Sequence, residues 1–267
     1  MSRLSHRLQT LAQARRKALV TFITAGDPNL DATVPALHAL VAGGADVLEL
    51  GIPFSDPEAE GPAIQASSHR GLAQGTTLLK VLAMVRDFRR TDVDTPVVLM
   101  GYLNSVLTMG CAKFADAASA AGVDGLIMVN LPPEEAGEIK SLLDARNIDL
   151  VFLVAPTTTP ERTAYIASNA SGFIYYVSLK GITGADHLQV ESVAENVGSL
   201  KAVARIPVLV GFGIKDAVTA RAVAQYADGV VIGSVLVTTM AEAAQSPEMI
   251  PERLTAQVGE IRSALDA

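Results

Sequence analysis

The chain has 267 residues, of which 49% are hydrophobic, and its net charge is -7. A chain of this length and apolar content is able to bury a full core. The negative charge argues against a protein that binds nucleic acid or an anionic membrane, because both partners attract basic surfaces. The single cysteine, Cys111, leaves no internal disulfide, which fits a reducing cytosol and predicts a cytoplasmic protein. The four histidines lack zinc-ligand spacing, so no metal is predicted, and no apolar run approaches the ~20 residues of a membrane span.

The polar, basic N-terminus carries Leu4, Leu8 and Leu11 at helical spacing, which predicts an amphipathic N-terminal helix. Eight short apolar runs rich in β-branched residues follow, and we predict strands at residues 19–24, 47–52, 96–100, 125–129, 150–154, 173–177, 208–211 and 229–232. Helical patterns separate and follow them at residues 30–42, 78–90, 112–121, 133–146, 160–167, 190–204, 216–225 and 249–265. The strands are almost continuously apolar, which is typical of a parallel sheet covered by helices.

The spacing of the strands predicts the fold class, a single (β/α)8 TIM barrel domain over residues 1–267 with an extra N-terminal helix. Most strand starts are separated by the length of one strand-helix unit, but strands 2 and 3 begin 49 residues apart and strands 6 and 7 begin 35 apart. We therefore expect elongated βα loops 2 and 6, on the barrel face that carries active sites. The alternative is an open doubly wound sheet. The Gly-x-Gly-x-x-Gly motif that would support it is absent after the first strand.

A run of acidic residues begins on the second strand, in the segment LELGIPFSDPEAEGP at residues 48–62. Glu49 interrupts an apolar strand, where an unpaired charge is costly, and Asp56, Glu58 and Glu60 lie in the loop that follows. A carboxyl group on a strand and another on a loop about ten residues later suit proton transfer between two groups. The other interpretation, a salt-bridged strand residue followed by solvated loop charges, stays open on this segment alone.

Two glycine-containing turns follow the last two strands, Gly211-Phe212-Gly213 after strand 7 and Gly233-Ser234 after strand 8. Barrels often bind phosphate at this place, with backbone N–H groups that glycine leaves accessible and with a helix N-terminus. Tight turns alone would also explain the glycines. Together the two turns favour a phosphate site.

The loop after strand 6, residues 178–185, is rich in glycine and contains Thr183 and Gly184. Such a loop is able to close over a substrate and exclude water, although an ordinary surface loop has the same composition. Lys180 in this loop would allow a Schiff-base aldolase, but a Schiff-base lysine more naturally lies on a rigid strand. Tyr175 and Tyr176 must point to opposite faces of their strand, and the sequence leaves open which one faces the barrel mouth.

Several apolar side chains lie at or near strand ends, where they would either line a pocket for a flat ring or pack in the barrel core. They are Phe22, Met100, Ile127, Val129, Leu153 and Phe212.

These motifs, in this order, resemble the tryptophan synthase α subunit family. The resemblance is carried by FITAGDP at residues 22–28, ELGIPFSDP at 49–57 with Gly61-Pro62 and Gln65, YYVS at 175–178, GITG at 181–184, and the two glycine turns. It extends from about Leu4 to Leu265. It implies a cofactor-free barrel lyase that cleaves indole-3-glycerol phosphate to indole and glyceraldehyde 3-phosphate by a retro-aldol step, in tryptophan biosynthesis.

The resemblance also implies roles for individual residues. Glu49 matches the group that protonates the indole ring carbon, and Glu60 occupies the place of the aspartate that takes the proton from the indole nitrogen. The positions around the indole ring are matched by Phe22, Met100, Tyr175 and Phe212, with Thr183 on the closing loop. The phosphate site is matched by Gly184, Gly213, Gly233 and Ser234, with Gly211 beside it. The implied partner is a pyridoxal-phosphate β subunit in an α2β2 assembly, which contacts residues 53–57 and Asn104.

Three positions depart from the family pattern. Glu60 replaces the aspartate and adds one methylene, Glu58 places a charge where an apolar residue is usual, and Asn130 stands where the family usually has aspartate. A displacement of about 1 Å is able to cost on the order of 10²-fold in rate. We therefore expect an ordinary α subunit with a lowered intrinsic rate. Two alternatives stay open: a weakly catalytic subunit that mainly activates a β partner, and a stand-alone lyase.

Overall fold

In a computed structural model of the protein, eight parallel strands form a closed barrel in sequence order, with β1 paired to both β2 and β8. The structure describes residues 1–177, 187–211 and 213–267, and only the backbone within residues 187–192. The strands are β1 Ala18–Thr24, β2 Val47–Gly51, β3 Val97–Gly101, β4 Gly125–Met128, β5 Asp149–Val154, β6 Ile174–Val177, β7 Val208–Gly211 and β8 Gly229–Ile232. The predicted TIM barrel is confirmed, and each predicted strand lies within one residue of an observed one.

Helices surround the barrel. In the described part of the chain the α-helices are α1 Arg3–Gln13, α2 Thr33–Ala42, α3 Pro62–Ala73, α4 Leu78–Phe88, α5 Leu103–Met109, α6 Cys111–Ala121, α7 Gly137–Asp144, α8 Pro160–Asn169, α9 His187–Val203, α10 Ala217–Ala224, α11 Ser234–Glu242 and α12 Ile250–Asp266. Local signals set several starts: the side chains of Thr77, Thr159 and Asp216 each accept a backbone N–H of the first turn of α4, α8 and α10.

The helix predictions were wrong at three places, because α3, α5 and α11 were not predicted. Helices α5 and α11 are short and each begins two residues after a strand ends, whereas α3 contains proline, glycine and several polar residues that hide its period. The predicted helix at residues 133–146 is divided, with a 3-10 turn at Pro133–Glu135 followed by α7. Both α3 and α4 lie between β2 and β3, which accounts for the long second interval. The predicted elongation of loop 6 falls on residues 178–186, outside the described residues.

Alternation along the strands separates two apolar layers. Side chains such as Val20, Val47 and Val98 point into the barrel, whereas neighbours such as Leu19 and Leu48 pack under the helices. Because both faces are buried, the strands read as continuous apolar runs. Helix α1 closes the N-terminal end of the barrel, since Leu4, Leu8 and Leu11 pack against the inward layer. The opposite end, where the strands finish, stays open and carries the polar loops.

Candidate active site

A cavity of about 410 Å³ opens at the carboxyl ends of the strands. This volume suits a small organic ligand. The cavity brings together residues from β1, β2, β3, β5, β6 and β8 and from the segments that follow them. Its lining consists of Phe22, Glu49, Glu58, Ala59, Glu60, Ile64, Met100, Val129, Leu153, Ala155, Tyr175, Val177, Gly213, Ile214, Val231, Gly233 and Ser234.

Glu49 points into this cavity from the middle of β2. The alternation of the strand places it on the inward face with Val47, one layer nearer the mouth, and its register partner on β1 is Phe22. The residue is 1% exposed, and neither carboxyl oxygen has a hydrogen-bond partner among the described residues. Burial, with a smaller contribution from the nearby Glu60 carboxylate, raises the pKa of Glu49 to about 8. Near neutral pH the group is therefore protonated and able to donate a proton.

Glu60 reaches the same cavity from the segment between β2 and α3. Its N–H donates to the Pro57 carbonyl, and its own carbonyl accepts from Gln65 Nε2 at 2.9 Å, so α3 holds the backbone of this segment. Gly61 and Pro62 then begin the helix. Burial raises the pKa of Glu60 to about 7. The pKa of Glu60 on the loop is thus lower than that of Glu49 on the strand. A base and an acid that act together require such a difference in pKa.

The aromatic residues of the cavity depend on neighbouring glycines. A Cβ at Gly51 would lie 2.7 Å from Phe22 Cζ, and one at Gly233 would lie 3.2 Å from Phe22 Cβ. A Cβ at Gly211 would lie 2.2 Å from Tyr175 Oη. Tyr175 is packed against the inward layer, whereas Tyr176 lies under the helices, which answers the question of orientation left by the sequence. Gly211 therefore supports the cavity through Tyr175 without lining it.

Apolar side chains form the walls between these groups. Met100, Val129 and Leu153 line the cavity, as one interpretation of the sequence expected, but Ile127 lies in the barrel core and not in the cavity. Phe212, Thr183 and Gly184 lie outside the described residues. These walls suit a flat apolar ring beside the two carboxyl groups.

The far side of the cavity is formed by the last strands. Gly233 precedes Ser234, the first residue of α11, and no side chain of the described residues caps this helix. Its first N–H groups are therefore available to an anion. Gly213, with φ of +84°, lies on the facing turn in the left-handed region that glycine tolerates. Gly213 and Gly233 thus meet at one cavity, together with the helix N-terminus that is expected at a phosphate site, although α11 itself was not among the predicted helices.

Tyr102 is a functional candidate that the sequence reasoning missed. Its hydroxyl accepts a hydrogen bond from the Ala59 N–H at 3.0 Å, directly beside Glu60, and its ring stacks on Phe54 at 4.7 Å. Burial and the nearby Glu60 and Glu58 carboxylates raise the pKa of Tyr102, against the opposing effect of the Ala59 hydrogen bond. The only sequence signal was its place just after β3. The residues that line the cavity and were missed are Ala59, Ile64, Ala155, Val177, Ile214 and Val231.

Neither a metal site nor a membrane span emerges from the described residues. No group of three or more His, Cys, Asp or Glu side chains among them is placed to hold a metal ion. None of the helices described is both long and apolar enough to cross a membrane.

Comparisons with known proteins agree on one family. A model of the tryptophan synthase alpha chain matches residues 8–266. The tryptophan synthase alpha chain of Laribacter hongkongensis is 58% identical over 267 residues, 100% of both chains. That of Marinobacter nauticus is 51% identical over 100% of this chain and 99% of the relative.

Solved structures agree as well. The alpha subunit of tryptophan synthase from Legionella pneumophila superposes with a TM-score of 0.93 at 43% identity, over 100% of this chain and 99% of that one. A chain of Mycobacterium tuberculosis tryptophan synthase superposes with a TM-score of 0.90 at 37% identity, over 100% of this chain and 99% of that one.

The chain belongs to the tryptophan synthase alpha chain family. The resemblance seen in the sequence is thereby confirmed. With it come the lyase activity, which is retro-aldol cleavage of indole-3-glycerol phosphate, and the place of that activity in tryptophan biosynthesis. Nothing in the comparisons favours a weakly catalytic subunit or a stand-alone lyase.

The structure shows the surroundings of Glu58 and Asn130, two of the residues that depart from the usual tryptophan synthase α pattern. Glu58 is exposed at the rim of the cavity, so its charge faces solvent. Asn130 contacts the first turn of α5. Its Oδ1 accepts the Leu103 N–H at 2.8 Å, and its Nδ2 donates to Asn104 Oδ1 at 3.2 Å. An aspartate would keep the first contact, and it would keep the second with the direction reversed, because the Asn104 amide turns over and donates its Nδ2 to the carboxylate. Asn130 therefore links β4 to the helix that carries Asn104.

Proposed function

We propose that Glu49 and Glu60 are the acid and the base that cleave indole-3-glycerol phosphate in the cavity at the barrel mouth. The observation that carries this proposal is a pair of carboxyl groups in one apolar cavity, Glu49 buried and Glu60 half-buried, with pKa values of about 8 and about 7. At neutral pH a proton stays on Glu49, which has a pKa of about 8, whereas a larger share of Glu60, with a pKa of about 7, is ionised. Each group is then in the protonation state that its step requires.

The reaction balances with these two groups alone. Glu49 gives its proton to the indole carbon that carries the side chain, while Glu60 takes the proton from the ring nitrogen. The bond between ring and side chain then breaks and its electron pair returns to the ring, which recovers its N–H from Glu60. The side-chain hydroxyl loses its proton to the Glu49 carboxylate and becomes the aldehyde of glyceraldehyde 3-phosphate. Both carboxyl groups finish as they began, so the chain needs no cofactor for this step.

The remaining site residues hold the substrate. Phe22, Met100 and Tyr175 line the apolar wall and would contact the indole ring. Gly213, Gly233 and Ser234 surround the free N-terminus of α11 and would bind the phosphate. Glyceraldehyde phosphate and indole thus occupy opposite ends of one cavity. Thr183, Gly184 and Phe212 are proposed for the same roles on the resemblance of their motifs alone.

The partner is a β subunit that carries pyridoxal phosphate, in a cytoplasmic α2β2 assembly with the present chain as one barrel domain. Support comes from α5, which lies at the same end of the barrel as the cavity and carries Asn104. Leu107 on this helix is 59% exposed, so α5 presents an apolar side chain beside the exposed Asn104 at this end of the barrel.

Indole release from indole-3-glycerol phosphate, measured with and without the β subunit of the same source, tests the proposal. Glu60→Gln should lower kcat by about 10²- to 10⁴-fold, because it removes the base. Glu58→Gln, which removes the same charge two residues away, is the matched control and should keep wild-type activity. Equal losses in the two variants would show that Glu60 acts only through the charge of the loop. Activation of the β subunit by this chain without measurable cleavage of indole-3-glycerol phosphate would favour the weakly catalytic alternative.

A further inference from the structure

A second cavity, of about 420 Å³, lies at the opposite end of the barrel from the catalytic mouth. It is enclosed by the end of α1 and the turn into β1, by the end of α9 and the turn into β7, and by the start of β8. Its lining consists of Leu8, Leu11, Ala12, Arg15, Arg16, Lys17, Ala18, Lys201, Ala204, Arg205, Ile206, Pro207 and Asp228. The volume equals that of the catalytic cavity within a few per cent.

Five cations line this second cavity, in a chain whose net charge is -7. Lys201 pairs with Asp228 at 2.6 Å, and Arg16 pairs with Asp266 at 3.1 Å. Arg15 and Arg205 have no ion pair or side-chain hydrogen bond with any described residue, and both are exposed at the rim.

Lys17 is held among these charges without an acidic partner in contact. Its ammonium group donates to the Ala227 carbonyl at 2.8 Å. Burial and the neighbouring Lys201 lower the pKa of Lys17, against the opposing attraction of Asp228. The C-termini of α1 and α9 both end here, but each supplies only about half a negative charge. The cations therefore exceed what the helix ends and Asp228 are able to neutralise.

The backbone conformation of Arg15 also indicates that its side chain has a role in the second cavity. Helix α1 ends in a Schellman motif, in which the Arg16 N–H donates to the Leu11 carbonyl and the Arg15 N–H to the Ala12 carbonyl. Arg15 has φ of +55°, the left-handed conformation that glycine adopts without steric cost. An arginine at this position is thus unfavourable for the helix end itself, while its side chain contributes a cation to the cavity.

We propose that this second cavity binds a small organic anion, a phosphate or carboxylate attached to an apolar body. Arg15, Lys17 and Arg205 would hold the anionic group by charge-assisted hydrogen bonds. The apolar floor of Leu8, Leu11 and Ile206 would cover the rest of the ligand. The site is independent of the catalytic chemistry, because it lies below the plug formed by α1.

Calorimetric titration of the full chain tests this proposal with 1-naphthyl phosphate and 1-naphthoate as probes. The catalytic cavity is first saturated with indole-3-propanol phosphate, which lacks the hydroxyl groups needed for cleavage. We expect one remaining site per chain, and the stronger of the two probes identifies the anionic group. Neutral 1-naphthol should bind at least about tenfold more weakly, because it offers no charge to the guanidinium groups.

Variants assign the remaining site to this cavity. Arg205→Gln and Arg15→Gly should each weaken binding by about tenfold, and Arg15→Gly should keep or raise the Tm because glycine relieves the backbone. Lys113→Gln and Arg253→Gln, which remove exposed cations elsewhere, should leave binding unchanged. The proposal is overturned if neither anion binds, if 1-naphthol binds as tightly as the anions, or if the control variants weaken binding as much as the cavity variants do.

Discussion

At the scale of single residues, the surroundings of Glu49 and Glu60 give two chemically equal carboxyl groups different pKa values. Glu49 lies on a rigid strand without a hydrogen-bond partner among the described residues, whereas Glu60 lies on a segment between a strand and a helix. Burial raises the pKa of both groups, and mutual repulsion adds to the effect at Glu49. Glu49 on the strand therefore keeps its proton to a higher pH than Glu60 on the loop.

The pH dependence of kcat/KM should be bell-shaped, with its limbs near pH 7 and pH 8. Below about pH 7 Glu60 is protonated and no longer accepts a proton, and above about pH 8 Glu49 is ionised and no longer donates one. Indole release measured from pH 5.5 to 9.5 checks this expectation. A profile that stays flat across the neutral range would contradict the assignment of acid and base.

Glu49→Gln should stabilise the protein at alkaline pH. In the unfolded chain this carboxyl group ionises near pH 4.5, but in the folded protein it keeps its proton to about pH 8. Its contribution to stability is therefore fully present below pH 4.5 and is lost as pH rises to 8. Urea unfolding at pH 8.5 should show a gain on the order of a few kcal/mol. The exposed Glu248→Gln should show none, and equal gains in both would exclude this explanation.

Glu60→Asp should raise the intrinsic rate of cleavage. The longer side chain of Glu60 moves the base by about 1 Å, and such a displacement costs on the order of 10²-fold. The comparison is of kcat for indole release by the isolated chain and by the complex with the β subunit. The absence of a gain in both forms would overturn the argument that Glu60 displaces the base.

At the scale of elements, close approaches between neighbouring strands shape the cavity. Phe22 on β1 fits between Gly51 on β2 and Gly233 after β8, and Tyr175 on β6 fits over Gly211 on β7. Glycine is required at these positions because any Cβ would occupy the space of a ring. The glycine turns that first suggested a phosphate site therefore have a second cause in packing.

Gly211→Ala should lower both activity and stability. The added methyl group would meet the Tyr175 hydroxyl at 2.2 Å and push the ring into the cavity, so we expect a higher KM and a loss of about 1–3 kcal/mol. Gly198→Ala is the matched control, because nothing lies within 4 Å of that Cβ on α9. It should stabilise the helix by about 0.5–1 kcal/mol. Substrate kinetics and urea unfolding of both variants decide between local strain and a general effect of the methyl group.

At the scale of the whole molecule, one buried carboxylate connects the two ends of the chain to the barrel. Asp46, 1% exposed, accepts from the Leu19 N–H at 3.0 Å, from Arg262 at 3.1 Å and from Arg7 at 2.7 Å. It thereby joins α12 and α1 to the start of β1 and β2. Arg262 also donates to the Lys17 carbonyl, so the last helix is held at two points.

Asp46→Ala should lower the free energy of unfolding by about 1–3 kcal/mol, because it leaves the buried Leu19 N–H and one N–H of Arg262 without their acceptor, while Asp266 still pairs with the same guanidinium. Asp87→Ala removes an exposed pair with Arg90 and should cost less than about 1 kcal/mol. Urea unfolding of the two variants gives the comparison. Equal small losses would mean that water replaces Asp46 at this site.

Much of the architecture could be predicted because it depends on local pattern. Continuous apolar runs such as residues 150–154 place the strands within one residue, since burial on both faces leaves no alternation to misread. The three helices that were not predicted have the opposite property: α3, α5 and α11 are held by loop geometry and by packing on the barrel, and their own sequences carry little helical period.

The sequence by itself determined the closed barrel, the family and the identity of Glu49 and Glu60 as the pair to examine, because residue type and order are enough for pattern and resemblance. Only the tertiary structure decided which tyrosine enters the cavity, that Tyr102 binds the backbone beside Glu60, and that Glu49 holds its proton to a higher pH than Glu60. It alone revealed the second, basic cavity. These properties arise from distances between segments far apart in the chain, and from the exclusion of water, neither of which is written in any local stretch of residues.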